Sequence, residues 1–208
     1  MDMKVILVNG SPHANGCTAT ALEEVAKTLN ECGIDTKTFW IGARPMSGCM
    51  ACGQCRTQGR CVFTDQVNIL ADQLDECDGI VFGSPVYYSS PNGALLSFMD
   101  RLFYSAGRKL AWKPAAGVVS CRRGGATASF DVLNKYFSIN NMPIVTSQYW
   151  NQVHGNTPDE VRQDIEGLQT MRTLARNMAW MLRCIEAAKA QGISHPELEP
   201  IQPTNFIR

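Results

Sequence analysis

Cys49, Cys52, Cys55 and Cys61 fall within one short run, Cys49-Met-Ala-Cys-Gly-Gln-Cys-Arg-Thr-Gln-Gly-Arg-Cys61. Thiolates are the soft donors that iron–sulfur clusters and zinc select, and donors this close in sequence surround one centre only if the chain turns back on itself. Gly53 and Gly59 free the backbone for that turn. Zinc sites ordinarily place a dozen or more residues between two Cys-x2-Cys pairs, so that two knuckles approach from different sides. Here three cysteines step by three and the fourth follows soon after, a spacing closer to an iron–sulfur loop. On the residues alone four outcomes stay open: a 4Fe–4S cluster, free thiols beside a subunit interface, zinc, or a disulfide. Arg56 and Arg60 either offset part of a cluster's negative charge or form a solvated face of the loop.

A second locus is Gly10-Ser-Pro-His-Ala-Asn-Gly-Cys-Thr18. It follows the aliphatic run Lys4-Val-Ile-Leu-Val-Asn9, which reads as a buried strand. It precedes Leu22, Val25, Ala26 and Leu29, whose spacing is helical and stops at Gly33. A loop between a strand and a helix N-terminus presents free N–H groups and the positive end of a dipole to an anion. Ser11, Asn15 and Thr18 add side-chain donors. A triphosphate loop needs G-x-x-x-x-G-K-[ST], but five residues separate Gly10 from Gly16 and Cys17 stands where lysine belongs. The dinucleotide pattern G-x-G-x-x-G is absent as well. A monophosphate held without metal fits best, against the plainer reading of a helix cap in a Gly-rich turn.

The 208 residues are 45% hydrophobic and 18% charged, and 19 basic residues balance 19 acidic ones. A neutral chain without a basic run offers no footprint for nucleic acid or an anionic membrane. No apolar stretch approaches a membrane span, and Met1 leads through Lys4 directly into a strand, so neither signal peptide nor membrane anchor is expected and the location is cytoplasmic. In a reducing compartment nine cysteines read as ligands, reactive thiols or core fillers. Cys32, Cys77 and Cys184 are expected to pack as small apolar residues.

Further strands are expected at Asp35 to Trp40, Gly79 to Gly83, Ala115 to Val119 and Pro143 to Thr146. Helical spacing recurs at Val67, Leu70, Ala71 and Leu74, at Leu95, Leu96, Met99, Leu102 and Phe103, and at Phe130, Leu133, Tyr136 and Phe137. A last helix opens with Thr157-Pro-Asp-Glu160, where Thr157 caps and Glu160 closes a capping box, and runs to about residue 190. Residues 42 to 64 and 84 to 93 are expected to be irregular. Alternation of strand and helix implies an α/β fold with a parallel sheet covered on both faces. In such a sheet ligands bind beyond the carboxyl ends of the strands, which selects loops 10–18, 84–93 and 120–127. His154 and His195 have no partner at a recognisable spacing.

Residues 3 to 145 resemble the flavodoxin-like NAD(P)H-dependent FMN reductases, and within them the iron–sulfur flavoproteins. The likeness rests on Val8-Asn-Gly-Ser-Pro12 with Asn15-Gly-Cys-Thr18, on Asp78-Gly-Ile-Val-Phe-Gly-Ser-Pro-Val-Tyr87, and on Phe98-Met-Asp-Arg101. It implies a flavodoxin-like, doubly wound, five-stranded parallel sheet of order 2-1-3-4-5, forming one FMN-binding domain over residues 1–190 with an extended tail over 191–208. It implies an FMN phosphate held by Ser11, His13, Asn15, Gly16, Cys17 and Thr18, with Pro85, Val86, Tyr87 and Tyr88 along the flavin ring. The loop from Ser120 to Ala126 closes the other side, where Arg122, Arg123, Gly124 and Gly125 face a reduced flavin or a nicotinamide phosphate. Relatives carry a polar residue where this chain has Cys17, a departure that leaves the backbone cradle intact. Iron–sulfur flavoproteins carry a compact motif that Cys49, Cys52, Cys55 and Cys61 match.

The activity so implied is transfer of electrons from NAD(P)H through FMN to a quinone, a nitro or azo compound, free flavin or an iron–sulfur centre. The alternative is a flavin and 4Fe–4S electron carrier fed by a ferredoxin-like partner. The expected assembly is a homodimer or homotetramer, because a neighbouring subunit can cover a flavin at the rim.

Overall fold

The computed structural model describes residues 3–204 and 206; the expected signal-free start at Met1 and the last residues of the expected tail lie outside them. Strand β1 (Lys4–Asn9) lies at the centre, and Val5 to Val8 are no more than 1% exposed. Successive side chains of a strand point to opposite faces. Val5 and Leu7 therefore join one apolar cluster and Ile6 and Val8 the other. Strand β2 (Asp35–Trp40) pairs with one side of β1 and β3 (Gly79–Tyr87) with the other, both parallel. Strand β5 (Ala115–Cys121) follows β3, and β6 (Gln152–His154) completes the parallel order; the two-residue β4 (Ser90–Pro91) lies off this path. Leaving β4 aside, the order is 2-1-3-4-5, as the resemblance implies.

Helices cover both faces. On one side α1 (Cys17–Glu31) and α7 (Ile165–Ala190) pack Leu22, Val25, Leu29, Met171, Leu174 and Met178 against Leu7, Val81 and Val118. On the other, α3 (Gln66–Ala71), α4 (Gly93–Ala106) and α5 (Ala126–Ile139) pack Leu70, Phe98, Leu102, Leu133 and Phe137 against Ile6, Phe82 and Val119. Gly83 keeps α1 close to the sheet, since a Cβ there would stand 2.8 Å from Leu22 Cδ1. Among the described residues no helix is long and apolar enough to cross a membrane.

Four expectations are corrected. The fifth strand does not occupy 143–146. Pro143 and Val145 exchange backbone hydrogen bonds with Ala115 (2.9 and 2.8 Å), then the chain leaves the sheet and returns as β6 opposite Val119–Cys121. The aliphatic letters mark the first contact, while β6 carries one buried apolar residue, Val153, and reads as polar. The segment 84–93 is regular: β3 runs to Tyr87, and Tyr88 and Ser89 turn it back into β4 with φ of 50° and 58°. Two left-handed residues are what a two-residue hairpin turn requires, but tyrosine and serine do not advertise it. Pro91 is tolerated because it sits on an edge.

The long last helix is two helices. Thr157 caps α6 (Pro158–Gln163), accepting from the Glu160 N–H at 3.2 Å, and the chain breaks at Asp164, whose carboxylate accepts from the Gly167 N–H at 2.9 Å to start α7. Finally, Cys184 is exposed, Cys32 half-buried and only Cys77 of the three is in the core. Burial pushes the Cys77 thiol up to about 11, with Lys113 opposing the shift. The loop between β2 and α3 contains a single helical turn, α2 (Cys55–Gln58). Beyond α7, residues 193–204 form no regular element and are exposed, and the His195 ring lies flat against Trp112 at 5.1 Å.

Candidate functional site

Asn9 ends the central strand, and it is buried at 1% exposure. A buried amide must be hydrogen-bonded, and this one holds the first loop from beneath. Its Nδ2 donates to the Ala14 and His13 carbonyls (3.1 and 3.4 Å), while its Oδ1 accepts from the Ser11 N–H (3.0 Å). Trp40, at the end of β2, donates from Nε1 to the Ser11 carbonyl at 2.8 Å. The loop is thus shaped from two strands. Neither Asn9 nor Trp40 was expected to contribute; a polar residue closing an otherwise aliphatic strand was the available sign for Asn9.

Of the expected phosphate-loop residues, Ser11 and Thr18 are buried, His13 and Asn15 exposed, and Gly16 and Cys17 half-buried. Gly16 caps α1 without any side-chain bond, and the first turn carries no acidic residue. The opening N–H groups of a 15-residue helix therefore face the loop, which suits an anion. Burial raises the Cys17 thiol pKa, a backbone hydrogen bond offsets part of that, and Glu160 adds to it. Cys17 stays a neutral thiol, with its Sγ 3.7 Å from the Gly155 carbonyl.

The second and third loops lock onto the first. Thr18 Oγ1 and Ser120 Oγ are 2.8 Å apart, both buried. Gly125 has φ of 90°, and a Cβ there would come within 2.8 Å of Ser89 Cα and 2.9 Å of Val86 Cγ1. The Gly10 N–H bonds the Gly83 carbonyl at 2.9 Å. Pro85 and Val86 are half-buried, Tyr87 is 46% exposed and Tyr88 wholly exposed, so neither ring fills a core of its own. Arg122, Arg123 and Gly124 are exposed, and neither arginine is in an ion pair among the described residues. One continuous rim at the carboxyl edge of the sheet thus offers a helix N-terminus, two exposed phenols and two unpaired guanidinium groups.

His154 does have a partner. The register of β5 and β6 sets it opposite Cys121, and its Nδ1 lies 3.4 Å from Cys121 Sγ. Burial raises the Cys121 thiol pKa, a backbone hydrogen bond from Arg123 opposes that, and Asp164 raises it further.

The four cysteines of the β2–α3 loop line one small cavity, of about 30 Å³, together with Phe63, Arg101 and Tyr104. All four are free thiols. Among the described residues no three His, Cys, Asp or Glu side chains converge on a point as a single metal ion demands. The cavity has an exposed wall and a braced one. Cys49 and Cys52 are exposed, Ala51 and Gly53 have φ of 53° and 72°, and the backbone bonds of residues 53–59 close on themselves. Cys61, in contrast, donates its N–H to Asn68 Oδ1 (3.1 Å) and accepts from Asn68 Nδ2 (2.8 Å). Its sulfur accepts from Arg101 Nε at 3.3 Å. Arg101, 1% exposed in its side chain, forks onto both oxygens of Asp65 at 2.8 Å, and Asp65 in turn caps α3. Burial lowers the Arg101 pKa, but hydrogen bonds to Asp65 and Cys61 outweigh it and the net shift is upward, so the guanidinium is charged.

The family described as NADPH-dependent FMN reductase matches residues 3–157. An iron–sulfur flavoprotein of Methanocaldococcus jannaschii is 29% identical over 88% of this chain and 100% of its own length. Among solved structures, an archaeal flavodoxin superposes with a TM-score of 0.60 (15% identity, 87% of this chain and 99% of that one). An NAD(P)H:quinone oxidoreductase from Methanothermobacter marburgensis superposes with 0.65 (16% identity, 86% and 96%). With the sheet order, the open α1 terminus and the cysteine loop all in place, the chain belongs to the NADPH-dependent FMN reductase family, on its iron–sulfur flavoprotein-like branch.

Proposed function

We propose that this flavin oxidoreductase binds FMN in the rim, accepts electrons from NADH or NADPH, and delivers them to a quinone, a nitro or azo compound, free flavin or an iron–sulfur centre. The observation that carries the reading is the uncapped N-terminus of α1, inside a loop that Asn9 and Trp40 hold rigid. Bound FMN supplies the two-electron chemistry. The chain's part is to bind, orient and shield. Ser11, His13, Asn15, Gly16, Cys17 and Thr18 receive the phosphate, mostly through the N–H groups that open α1, and Ser11 Oγ, which accepts from the His13 N–H at 3.1 Å, keeps its own proton to donate. Pro85, Val86, Tyr87 and Tyr88 line one side of the ring, and Ser120 with the 122–125 loop the other. Arg122 and Arg123 lie at that edge with charge to spare, suited to an anionic flavin or a nicotinamide phosphate.

The cysteine loop supports a second reading, an electron carrier fed by a ferredoxin-like partner. Four thiols with no carboxylate or imidazole among them suit a 4Fe–4S cluster. Such a cluster asks one thiolate for each iron, so its ligands surround a volume and do not meet at a point. Cys49, Cys52, Cys55 and Cys61 would hold it. The exposed Tyr87 and Tyr88 further suit cover by a second copy in a homodimer or homotetramer, in the cytoplasm. One experiment separates the readings: anaerobically purified protein is assayed for flavin, iron and acid-labile sulfide, then for steady-state NADH and NADPH oxidation with a quinone. Flavin with turnover supports the reductase; flavin and cluster without turnover supports the carrier; no flavin sinks both.

A further inference from the structure

Arg101 is the one charged residue in the buried set of the described chain. Burying a charge is expensive unless it is paired and fully hydrogen-bonded. Asp65 meets that need through the two terminal nitrogens of the guanidinium. Tying α4 to the start of α3 would require no more. Yet Nη1 also donates to the Ser47 carbonyl at 3.3 Å, and Nε points at the Cys61 sulfur, while the ring of Phe63 closes over the guanidinium at 4.6 Å. Asn68, 5% exposed, independently fixes this stretch by holding both backbone groups of Cys61 and donating to the Phe63 carbonyl at 2.8 Å. Two separate devices therefore aim one sulfur of the four, on the wall where the cavity meets the core. Among the described residues no side chain donates to the sulfur of Cys49, Cys52 or Cys55, although Arg101 also reaches the Ser47 carbonyl two residues before Cys49.

We infer that Arg101 and Asn68 are positioning residues for a cluster bound by the cysteine loop: together they make Cys61 its fixed ligand, and the buried charge of Arg101 raises its reduction potential. The inference rests on the cluster reading above. Reduction adds one negative charge to the cluster, and a positive charge held a few ångströms away in a poorly screened site favours the reduced form. Asp65 acts in the opposite sense, more weakly because its side chain is 36% exposed. Asn68 carries no charge and acts on geometry alone.

The test is a dithionite titration of anaerobically reconstituted full-length protein, followed by EPR, with release of iron to a chelator timed in parallel. Arg101→Gln is expected to lower the potential, shifting the reduction equilibrium by about tenfold or more. Asp65→Asn is expected to raise it by less. Asn68→Ala is expected to leave it near the parent value and to release iron several-fold faster. A purely structural salt bridge would move the two charge variants in the same direction, so shifts of the same sign, or an Arg101→Gln potential equal to the parent's, overturn the inference. If Arg101→Gln does not fold, Asp65→Asn carries the sign test and Arg101→Lys supplies the charge-conserving control, expected to hold the potential but lose iron faster. Parent protein that takes up flavin but neither iron nor sulfide after reconstitution overturns the cluster reading itself, a result distinct from any of these.

Discussion

Thr18 and Ser120 share a buried hydrogen bond, Gly125 lies against Val86 and Ser89, and Asn9 holds the first loop from below; among the described residues no side chain is hydrogen-bonded to Cys49 or Cys52. The flavin rim is built from the ends of inner strands, where backbone position is set by the sheet. The cysteine loop leaves from β2, an edge strand, touches the core at Met46, and returns to it at Cys61. A cofactor held by backbone N–H groups needs a cradle that exists before it arrives, because those groups cannot be moved without breaking the fold. A centre held by thiolates supplies much of its own bonding and can order an exposed arm as it binds. The difference between the two regions is thus one of preorganisation, and it can be attacked from either side.

The heaviest blow to the rim is Gly125→Val. A β-branched residue at φ of 90° is strained, and its Cβ would stand 2.8 Å from Ser89 Cα. Together these cost about 3 kcal/mol. Flavin affinity, read by quenching of FMN fluorescence, is expected to fall about a hundredfold, while reconstituted iron per chain is unchanged. Equal loss of iron would show that the two regions are not independent.

Asn9→Ala comes next. It strips the first loop of three hydrogen bonds and leaves the buried Ser11 N–H without a partner, at about 1–3 kcal/mol. Flavin binding is expected to weaken about tenfold, again without effect on iron uptake. Within the cysteine loop the contrast runs inside one motif. In the metal-free protein Cys52→Ser, at an exposed position, should change unfolding stability by less than about 0.5 kcal/mol. Cys61→Ser, which disturbs the sulfur facing the buried Arg101, should cost about 1–2 kcal/mol in a urea melt. Equal values would dissolve the distinction between a braced and a free wall.

The parallel sheet and its three ligand-facing loops were readable because aliphatic runs of β-branched residues announce buried parallel strands, and the strand ends then follow; the strand order came from the family resemblance alone. What could not be read depends on backbone angles and register. Tyr88 and Ser89 adopt left-handed angles that glycine or asparagine would have signalled. His154 meets Cys121 only because β6 is in register with the end of β5, and the six polar or aromatic residues before it gave no strand signal. Nothing in the residues beside Arg101 signals its burial, which follows from Asp65 and Cys61 folding over it from a distant loop. The break at Asp164 was visible in principle, since an aspartate three residues before Gly167 is an ordinary helix start, but the apolar spacing runs straight through it.

The smallest expected effect concerns the thiol in the rim itself. Burial raises the Cys17 pKa above its ordinary value of 9.0, so the folded chain keeps a proton that the unfolded chain releases at high pH. By linkage this contribution is fully present below pH 9 and is lost as pH rises through the raised value, making the protein less stable in alkali. Cys17→Ser, which cannot ionise there, should show a slightly shallower fall in urea midpoint above pH 9 than the parent, and the same midpoint as the parent's pH dependence predicts at neutrality. Flavin affinity at pH 7 should change by less than about threefold, because the proposed phosphate contacts are backbone groups that the substitution leaves in place. A larger loss would mean that the sulfur itself touches the cofactor, and that the rim owes part of its grip to a side chain.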